Sequence, residues 1–549
     1  MLIVVLSAYT IVTMYLRTST RKNRDGSLVS YLQIAENTWD PVKKRSVTKV
    51  HCTLGRADGK ATERLKQLAA SIRRHAELET VAELAGDLQF VNSWPYGSLY
   101  VLEHLWEELG IGKVIRSVLK GQGRKVPLET SLFAMVANRA LAPTSKLGCY
   151  ERWLAEDVWY PAARELELHH LYRAMDLLAE HKERLEEELF WHIADLLSVD
   201  LDLIFYDTTS VGFSVDEEDA LRRRGYARKG GEGDPQIVVG LALTRDGYPV
   251  RSWVFEGNTV DVETIGRVRE DLKGWRLSRC VWVCDAGMVS EQNLKTLSSG
   301  GGSYIVAMPA RPGTEVVTEV LSRPGRFRAI RENLQIKEVR VGEGDHACRY
   351  VVCFNPQEAE RQRHHRQEVL KELRAELRVM EGHPKKACKL LSSRRYGPYL
   401  RTNRNGTVVI DPKKVEARAR RDGTWVLHTN DQELSAEDLA LGYKQLMRIE
   451  QTWRTMKSVL RIRPVFHRTP ERIRAHVYLC ELALLLQRAA EAKTGSSWSQ
   501  IRRELDSIKV GQLSGPQGTV WQTALGSTEA RNLLRTLKLQ PPPLILAAK

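Results

Sequence analysis

Between about residues 93 and 200, apolar residues recur at steps of three and four, in YGSLYVLEHLWEELGIGKVI, LETSLFAMVANRALA and LYRAMDLLAEHKERLEEELFWHIADLL. That spacing lines one face of a helix, so this stretch is predicted to be helical, with a break at Gly110 and Gly112. A helical bundle is the expected packing, although a helix-turn-helix has the same outline. At 201 the period changes: LDLIFYDTTS is almost continuously apolar before it turns polar, as a strand buried on both faces is. PQIVVGLALT and YPVRSWVFEG follow, joined through Arg245-Asp246-Gly247, whose Asp-Gly pair signals a hairpin. Next come a helix in VETIGRVREDLKGW, a strand in SRCVWVCDAG, a helix in SEQNLKTL and a strand in GSYIVAMPA. The expected fold class is therefore α/β, with three antiparallel strands first and two more reached through helical crossovers.

Residues 312 to about 422 interrupt this order with strand-like pieces such as EVRVGEGDHACRYVVCF, the charged helix EAERQRHHRQEVLKELRAELRVM and a Gly-Pro and Asn-Gly rich stretch. After it, TWVLHTN reads as a returning strand and SAEDLALGYKQLMRIEQTWRTMKSVL as one long helix, opened by Ser435 with Asp438 three residues on. On that helix Leu446, Ile449, Trp453, Met456 and Leu460 form an apolar stripe, and Tyr443, Glu450, Arg454, Lys457 and Arg461 a polar face. PERIRAHVYLCELALLLQRAAEA is apolar enough to be buried, and the chain from 492 reads as a mixed appendage.

Charge adds a partner to this outline. The 549 residues carry 83 Lys and Arg against 68 Asp and Glu, a net +15, which makes a polyanion the first partner to consider. Residues 356 to 422 hold 18 Lys and Arg against 9 Asp and Glu, so the excess is concentrated in the interrupting segment, beside Tyr396 and Tyr399. A nucleic-acid backbone track is the expectation there. The eight Cys form no CxxC pair and have no His pair at zinc spacing, so reduced, mostly buried thiols are expected. MLIVVLSAYTIVTMYLR has 16 uncharged residues, short of the roughly 20 a membrane helix needs. Translation from Met14 is expected instead, since the following MYLRTSTRKNRDGSLVSYLQIAEN already reads as two strands around an Asp25-Gly26 turn.

The candidate chemistry lies in carboxylates. Asp207 is read at the end of the strand LDLIFY and Asp285 at the end of SRCVWVC. Ligand sites of open α/β sheets gather at the carboxyl ends of strands, so on adjacent strands the two acids can converge on a cation. Glu450 on the later helix can complete the set, and three carboxylates with open positions suit a pair of Mg²⁺ ions acting on phosphodiesters. Each residue also has an ordinary reading: turn former or cap for the aspartates, an i,i+4 partner of Arg454 for Glu450. Gly257-Asn258-Thr259 with Asp261 reads as a turn and N-cap, His467 and His476 as packed or phosphate-facing rather than metal-bound, and the basic loop 220–235 as either a DNA grip or a solvated hairpin loop.

Taken together, YDTTS at 206–210, FEGNTVD at 255–261, VCDAGM at 283–288 and YKQLMRIEQTWRTMKSVLRIRPVFHRTPERIRAHV at 443–477 resemble a bacterial insertion-sequence transposase of the DDE class, insertion-sequence-four group. The resemblance spans roughly residues 130 to 490. It implies a retroviral-integrase-like (RNase H-like) mixed five-stranded sheet core, with a strand-rich insertion domain and a helical N-terminal region. Domains are then expected at 1–92 (a strand and turn arm), 93–200 (helical, DNA-binding), 201–311 (first part of the core), 312–422 (basic insertion), 423–490 (second part, with the Glu helix) and 491–549 (appendage). The group places Tyr seven before the Glu, Arg four before it and Lys seven after it. Tyr443, Glu450 and Lys457 match, but Leu446 stands where Arg is expected, with Arg454 the better substitute.

The resemblance further implies Asp207, Asp285 and Glu450 as catalytic ligands of two Mg²⁺ ions, replaceable by Mn²⁺. Tyr443, Arg454, Lys457 and Arg461 would contact DNA. The implied partners are double-stranded DNA, as transposon ends and target, and a second copy of the chain in a synaptic homodimer; the implied location is the bacterial cytoplasm, at the nucleoid, with no membrane. No Trp occurs between 312 and 422, so the base-flipping Trp of some members has no counterpart there, Trp425 lying at the edge. Two alternatives stand beside this reading: a non-catalytic, domesticated DNA-binding protein, and an RNase H-like nuclease that cuts without joining.

Overall fold

The computed structural model describes residues 14–23, 27–40, 43–57, 65–66, 88–119, 127–197, 199, 202–215, 217–225, 234–275, 277, 280–310, 314, 316–343, 348–380, 384–515 and 518–548. The expected Asp25-Gly26 turn, residues 1–13 and most of the basic loop before Pro235 lie outside these. Two compact units emerge, one of Met1–Asn92, Gln512–Trp521 and Ala547–Lys549, the other of Ser93–Gly511 and Gln522–Leu546. In the first, strands β1 (Met14–Lys22) and β2 (Leu28–Asp40) pair antiparallel as expected, and a third strand that the sequence reading did not anticipate, β3 (Arg45–Arg56), completes an antiparallel sheet. Strand β4, Gln89–Pro95, precedes the helices.

In the second unit, helices α1 (Gly97–Glu108), α2 (Ile111–Val118), α3 (Leu128–Leu141), α4 (Leu168–Glu180) and α5 (Lys182–Leu197) realise the three-four spacing. The sheet follows, with β5 (Leu203–Gly212), β6 (Arg223–Arg224), β7 (Pro235–Thr244), β8 (Pro249–Glu256), helix α6 (Asp261–Asp271), β9 (Val281–Cys284), helix α7 (Glu291–Ser298) and β10 (Ser303–Met308). β5, β7 and β8 are antiparallel neighbours, whereas β5, β9 and β10 run parallel, because an α-helix returns the chain before each of the last two. The β7–β8 turn closes at Gly247, whose φ of 85° is a left-handed value that a side chain resists.

Five strands were expected, and β8-β7-β5-β9-β10 do stand side by side, but the sheet is twice as wide. β16 (Thr424–Thr429) pairs antiparallel with β10, β13 (Cys348–Phe354), β12 (Leu334–Val341) and β11 (Arg328–Arg331) follow beyond it, and the short β6 pairs with β7, which brings the sheet to ten strands. The returning strand offers two edges, and the insertion covers the outer one rather than leaving it bare. The rest of the insertion is helix α8 (Pro356–Val379), α9 (Pro384–Leu391), the short pair β14 (Leu400–Thr402) and β15 (Val408–Ile410), and α10 (Pro412–Ala419), around their own small core of Val369, Leu373, Leu400 and Val408.

The two sheet faces bury different things. Leu203, Phe205 and Val211 share a core with the helical region and with helices near the C-terminal end, whereas Ile204 and Tyr206 pack against Ile265, Val268 and Trp282 in a second core. The alternation along β5 thus sorts its side chains between two layers. Helix α13, Pro470–Thr494, is buried along most of its length, as its all-round apolar sequence predicts. No helix among the described residues is long and apolar enough to cross a membrane. All eight Cys are free; five are buried.

Candidate active site

Asp207 is not at a strand end. β5 continues to Gly212 because β7 pairs with it through Thr208, Thr209 and Ser210. What does end there is the parallel pairing: β9 stops at Cys284, opposite Tyr206, so Asp207 and Asp285 are the next residues along two adjacent parallel strands. Asp285 starts a short 3₁₀ turn, Ala286–Met288, and is exposed at the strand's carboxyl end.

The expected long helix around Glu450 is two helices, α11 (Ala436–Lys444) and α12 (Met447–Ser458). At Gln445 and Leu446 the ladder tightens, Leu446 N donating to Tyr443 O and Ile449 N to Leu446 O. Ser435 accepts from Asp438 N at 3.0 Å, the cap predicted for this segment. The apolar stripe is fully realised: Leu446, Ile449, Trp453, Met456 and Leu460 are all buried. Leu446, where the group resemblance called for Arg, is thus a core residue. Arg448 is tied to the carbonyl of Arg245 in the β7–β8 turn, and Arg454 is exposed one turn beyond Glu450. Arg461 does not belong to the polar face of this helix. It lies past the helix end at a φ of 46°, and its carbonyl accepts from the buried Arg139 guanidinium at 3.0 Å.

Around Asp207 the Thr-Thr pair acts in opposite directions. Thr209, on the Asp207 side of the strand, accepts from the Lys457 ammonium of α12. Thr208, on the other side, donates to Asp261, the first residue of α6. The segment before α6 is held close: Gly257 N donates to Leu221 O at 3.0 Å and its carbonyl accepts from Gln236 Nε2 at 2.8 Å. A Cβ on Gly257 would meet Gln236 O at 1.9 Å, so only glycine fits. The N-cap itself is Val260, so Asp261 is not the cap that a turn reading assigns. Its second oxygen instead lies 3.8 Å from where a Cβ on Gly287 would stand, in the turn that follows Asp285.

The charges register this assembly. The Asp207 carboxyl is pushed up to about 6: burial raises it most, the Thr208 N–H at 2.8 Å opposes, and Asp285, Asp261 and Glu450 add their repulsion. Burial, and then Asp285, likewise push the Tyr443 phenol well above its ordinary value; its hydroxyl donates to Asp285 at 3.3 Å. Of the sequence-predicted residues, Tyr443 bonds Asp285, Lys457 bonds Thr209 on the Asp207 side of β5, and Glu450 is close enough to act on the Asp207 carboxyl; Thr208 and Asp261 support Asp207 from the opposite face of the strand. The signals for Thr208, Thr209 and Asp261 were present, two hydroxyls directly after an acid and an Asp in FEGNTVD, but a turn former explains each as well.

A cluster of acids that repel one another is relieved by a divalent cation, and carboxylate oxygens are the donors Mg²⁺ prefers. Asp207, Asp285 and Glu450 fit such an ion in donor chemistry. Among the described residues no group of three or more His, Cys, Asp or Glu already encloses an ion position. His467 and His476 do not contribute: they are buried together, ring centroids 5.6 Å apart, and burial depresses both.

Residues 207–486, just over half the chain, match the family described as Transposase DDE domain. No curated protein matches the chain. A solved structure described as a cryo-EM structure of the piggyBac transposase synaptic complex with hairpin DNA is 12% identical, covering 75% of this chain and 80% of that one. Its TM-score is 0.33, too low for the likeness to bear on this fold.

Proposed function

The chain belongs to the transposase DDE domain family, and from that membership we propose that it cuts and rejoins double-stranded DNA at the inverted-repeat ends of its own bacterial insertion sequence, of the insertion-sequence-four group. The observation that carries the proposal is the placement of Asp207 and Asp285 one step beyond the paired Tyr206 and Cys284, with Glu450 near enough to raise the Asp207 pKa. The strand order β8-β7-β5-β9-β10, three antiparallel and two parallel, supports an RNase H-like core within the wider sheet.

Asp207, Asp285 and Glu450 would hold two Mg²⁺ ions, or Mn²⁺ in their place. Bound there, a divalent ion lowers the pKa of an attacking water or 3′-hydroxyl and neutralises phosphate charge. The chain's own residues do the rest. Tyr443 orients Asp285 through its hydroxyl, Lys457 fixes the Thr209 side of β5, and Arg454 with Lys457 offers positive charge to the scissile phosphate region. Arg461, beyond the helix, would touch DNA further along. The helical region 93–200 and the basic insertion 312–422 are assigned to DNA binding, and the synaptic assembly to a homodimer at the nucleoid in the bacterial cytoplasm.

The test uses purified protein, a labelled element end and Mg²⁺. Cleavage followed by joining to target DNA, lost in Asp285→Asn and Glu450→Gln, is the expected result. Wild-type rates in those variants would remove the site assignment. Binding without nicking would favour the domesticated DNA-binding reading, and nicking without joining the nuclease reading.

A further inference from the structure

The insertion's positive charge is less available than its composition implies. Arg361, Arg363, Arg366, Arg395 and Arg420 each pair with an acid, most of them along or beside α8. Arg418 and Arg421, at and just past the end of α10, pair with no carboxylate among the described residues. Both line a cavity of about 330 Å³, together with His365, Arg366, Tyr399 and Asp422. The acid in that lining, Asp422, is already bound to Arg366, so the charges left unbalanced there are those of Arg418 and Arg421.

The geometry is that of a built site. Arg421 is fixed by two carbonyls, donating from Nε to Ala417 at 3.0 Å and from Nη1 to Ala310 at 2.6 Å, which leaves its charge unneutralised and its other N–H groups without a partner among the described residues. Arg418 lies over the Tyr399 ring at 5.1 Å, and that ring is buried, so the guanidinium is held by stacking while its fork remains open. Ala310 follows β10 by two residues, which puts the cavity where the insertion meets the sheet that carries the acids.

Resting on the function proposed above, we propose that this cavity receives a phosphodiester group of the bound DNA strand, with Arg418 and Arg421 as its ligands. Guanidinium forks match tetrahedral oxyanions in two-point contacts. A space on the order of ten times the ~30 Å³ share of a liquid water admits a phosphate with its sugar. The surrounding excess of Lys and Arg favours an extended polyanion over an isolated anion, because only the former uses the whole surface.

The experiment measures binding of a duplex element end by the full-length protein across a salt series. Arg418→Ala should weaken binding roughly tenfold and reduce the slope of log K against log salt by about one. Lys273→Ala, whose ammonium pairs with Glu270 outside both regions assigned to DNA binding, should leave the slope unchanged, and thermal midpoints of both variants should match the wild type. An unchanged slope and affinity in Arg418→Ala, with wild-type binding intact, overturns the site and leaves the functional reading standing. So does a result in which millimolar inorganic phosphate stabilises the wild type but not Arg418→Ala while DNA binds both equally, because the cavity is then a free-anion site. A wild type that binds no duplex at all overturns the functional reading and this site with it.

Discussion

The Thr208 hydroxyl donates to the Asp261 carboxylate across the face of β5 opposite Asp207, while the Thr208 N–H donates to Asp207 itself. One residue thereby links the start of α6 to the acid on which the chemistry is proposed to centre. The hydroxyl contact fixes residue 208, whose N–H in turn holds the proposed ligand Asp207, and loss of outer-shell support typically costs about 10- to 100-fold in metal affinity or activity. Thr208→Val should therefore lower strand cleavage by roughly that factor and raise the Mg²⁺ concentration needed for half-maximal rate, with Thr208→Ser restoring most of it. A metal-response curve for Thr208→Val that superimposes on the wild type would show the contact to be merely structural.

Removing one carboxylate should relieve the others. Asp285→Asn takes away one source of repulsion at Asp207, so the variant should be inactive yet no less stable than the wild type. Mg²⁺ should raise the wild-type melting temperature by mass action and leave that of Asp285→Asn nearly flat, which differential scanning calorimetry with and without chelator reads directly.

Acid should loosen the sheet through His428. This residue lies between Tyr350, stacked at 4.8 Å, and Tyr304 at 5.4 Å, and burial pushes its imidazole down to about 4. Between about 4 and 6.5 the unfolded chain binds a proton that the folded chain refuses, so stability is full above 6.5 and falls as the pH drops. At pH 5 the loss from this one group is on the order of 2 kcal/mol. Denaturant unfolding at pH 7 and pH 5 should show a smaller difference in His428→Phe than in the wild type; an equal difference would place the acid sensitivity elsewhere.

Lys146 is fully buried, and its amine has no hydrogen-bond partner among the described residues. Burial first, and then Arg139, pull it down to about 7. Between about 7 and 10.5 the unfolded chain holds the proton more firmly, so this group's contribution to stability rises with pH across that window. Lys146→Met should stabilise the protein by roughly 1 to 4 kcal/mol at pH 7 and remove that slope. Chemical denaturation at pH 7 and 9 measures both, and a destabilised variant would mean that the amine has a partner of its own.

Much of the element order was legible from local pattern alone, since periods of two and 3.6 are properties of local chain geometry: the helices of 97–197, the strands around Asp207 and Asp285, and the apolar stripe from Leu446 to Leu460. Asp207 and Asp285 stood out as acids closing apolar runs and Glu450 as an acid on a helix face, whereas the site roles of Tyr443 and Lys457 came from the family resemblance of segment 443–477. Features that depend on pairing across long separations are set by the folded chain. Register between β5 and β9 set Asp207 and Asp285 side by side, 78 positions apart in the chain. The returning β16, the three insertion strands paired beyond it and β6 on β7 widened five strands to ten, and the tight turn at Gln445 and Leu446 divided one expected helix into two. Asp261 was invisible as anything but a turn acid, because its partner Thr208 lies on another element, and no local period encodes which side chains will face each other once the sheet has closed.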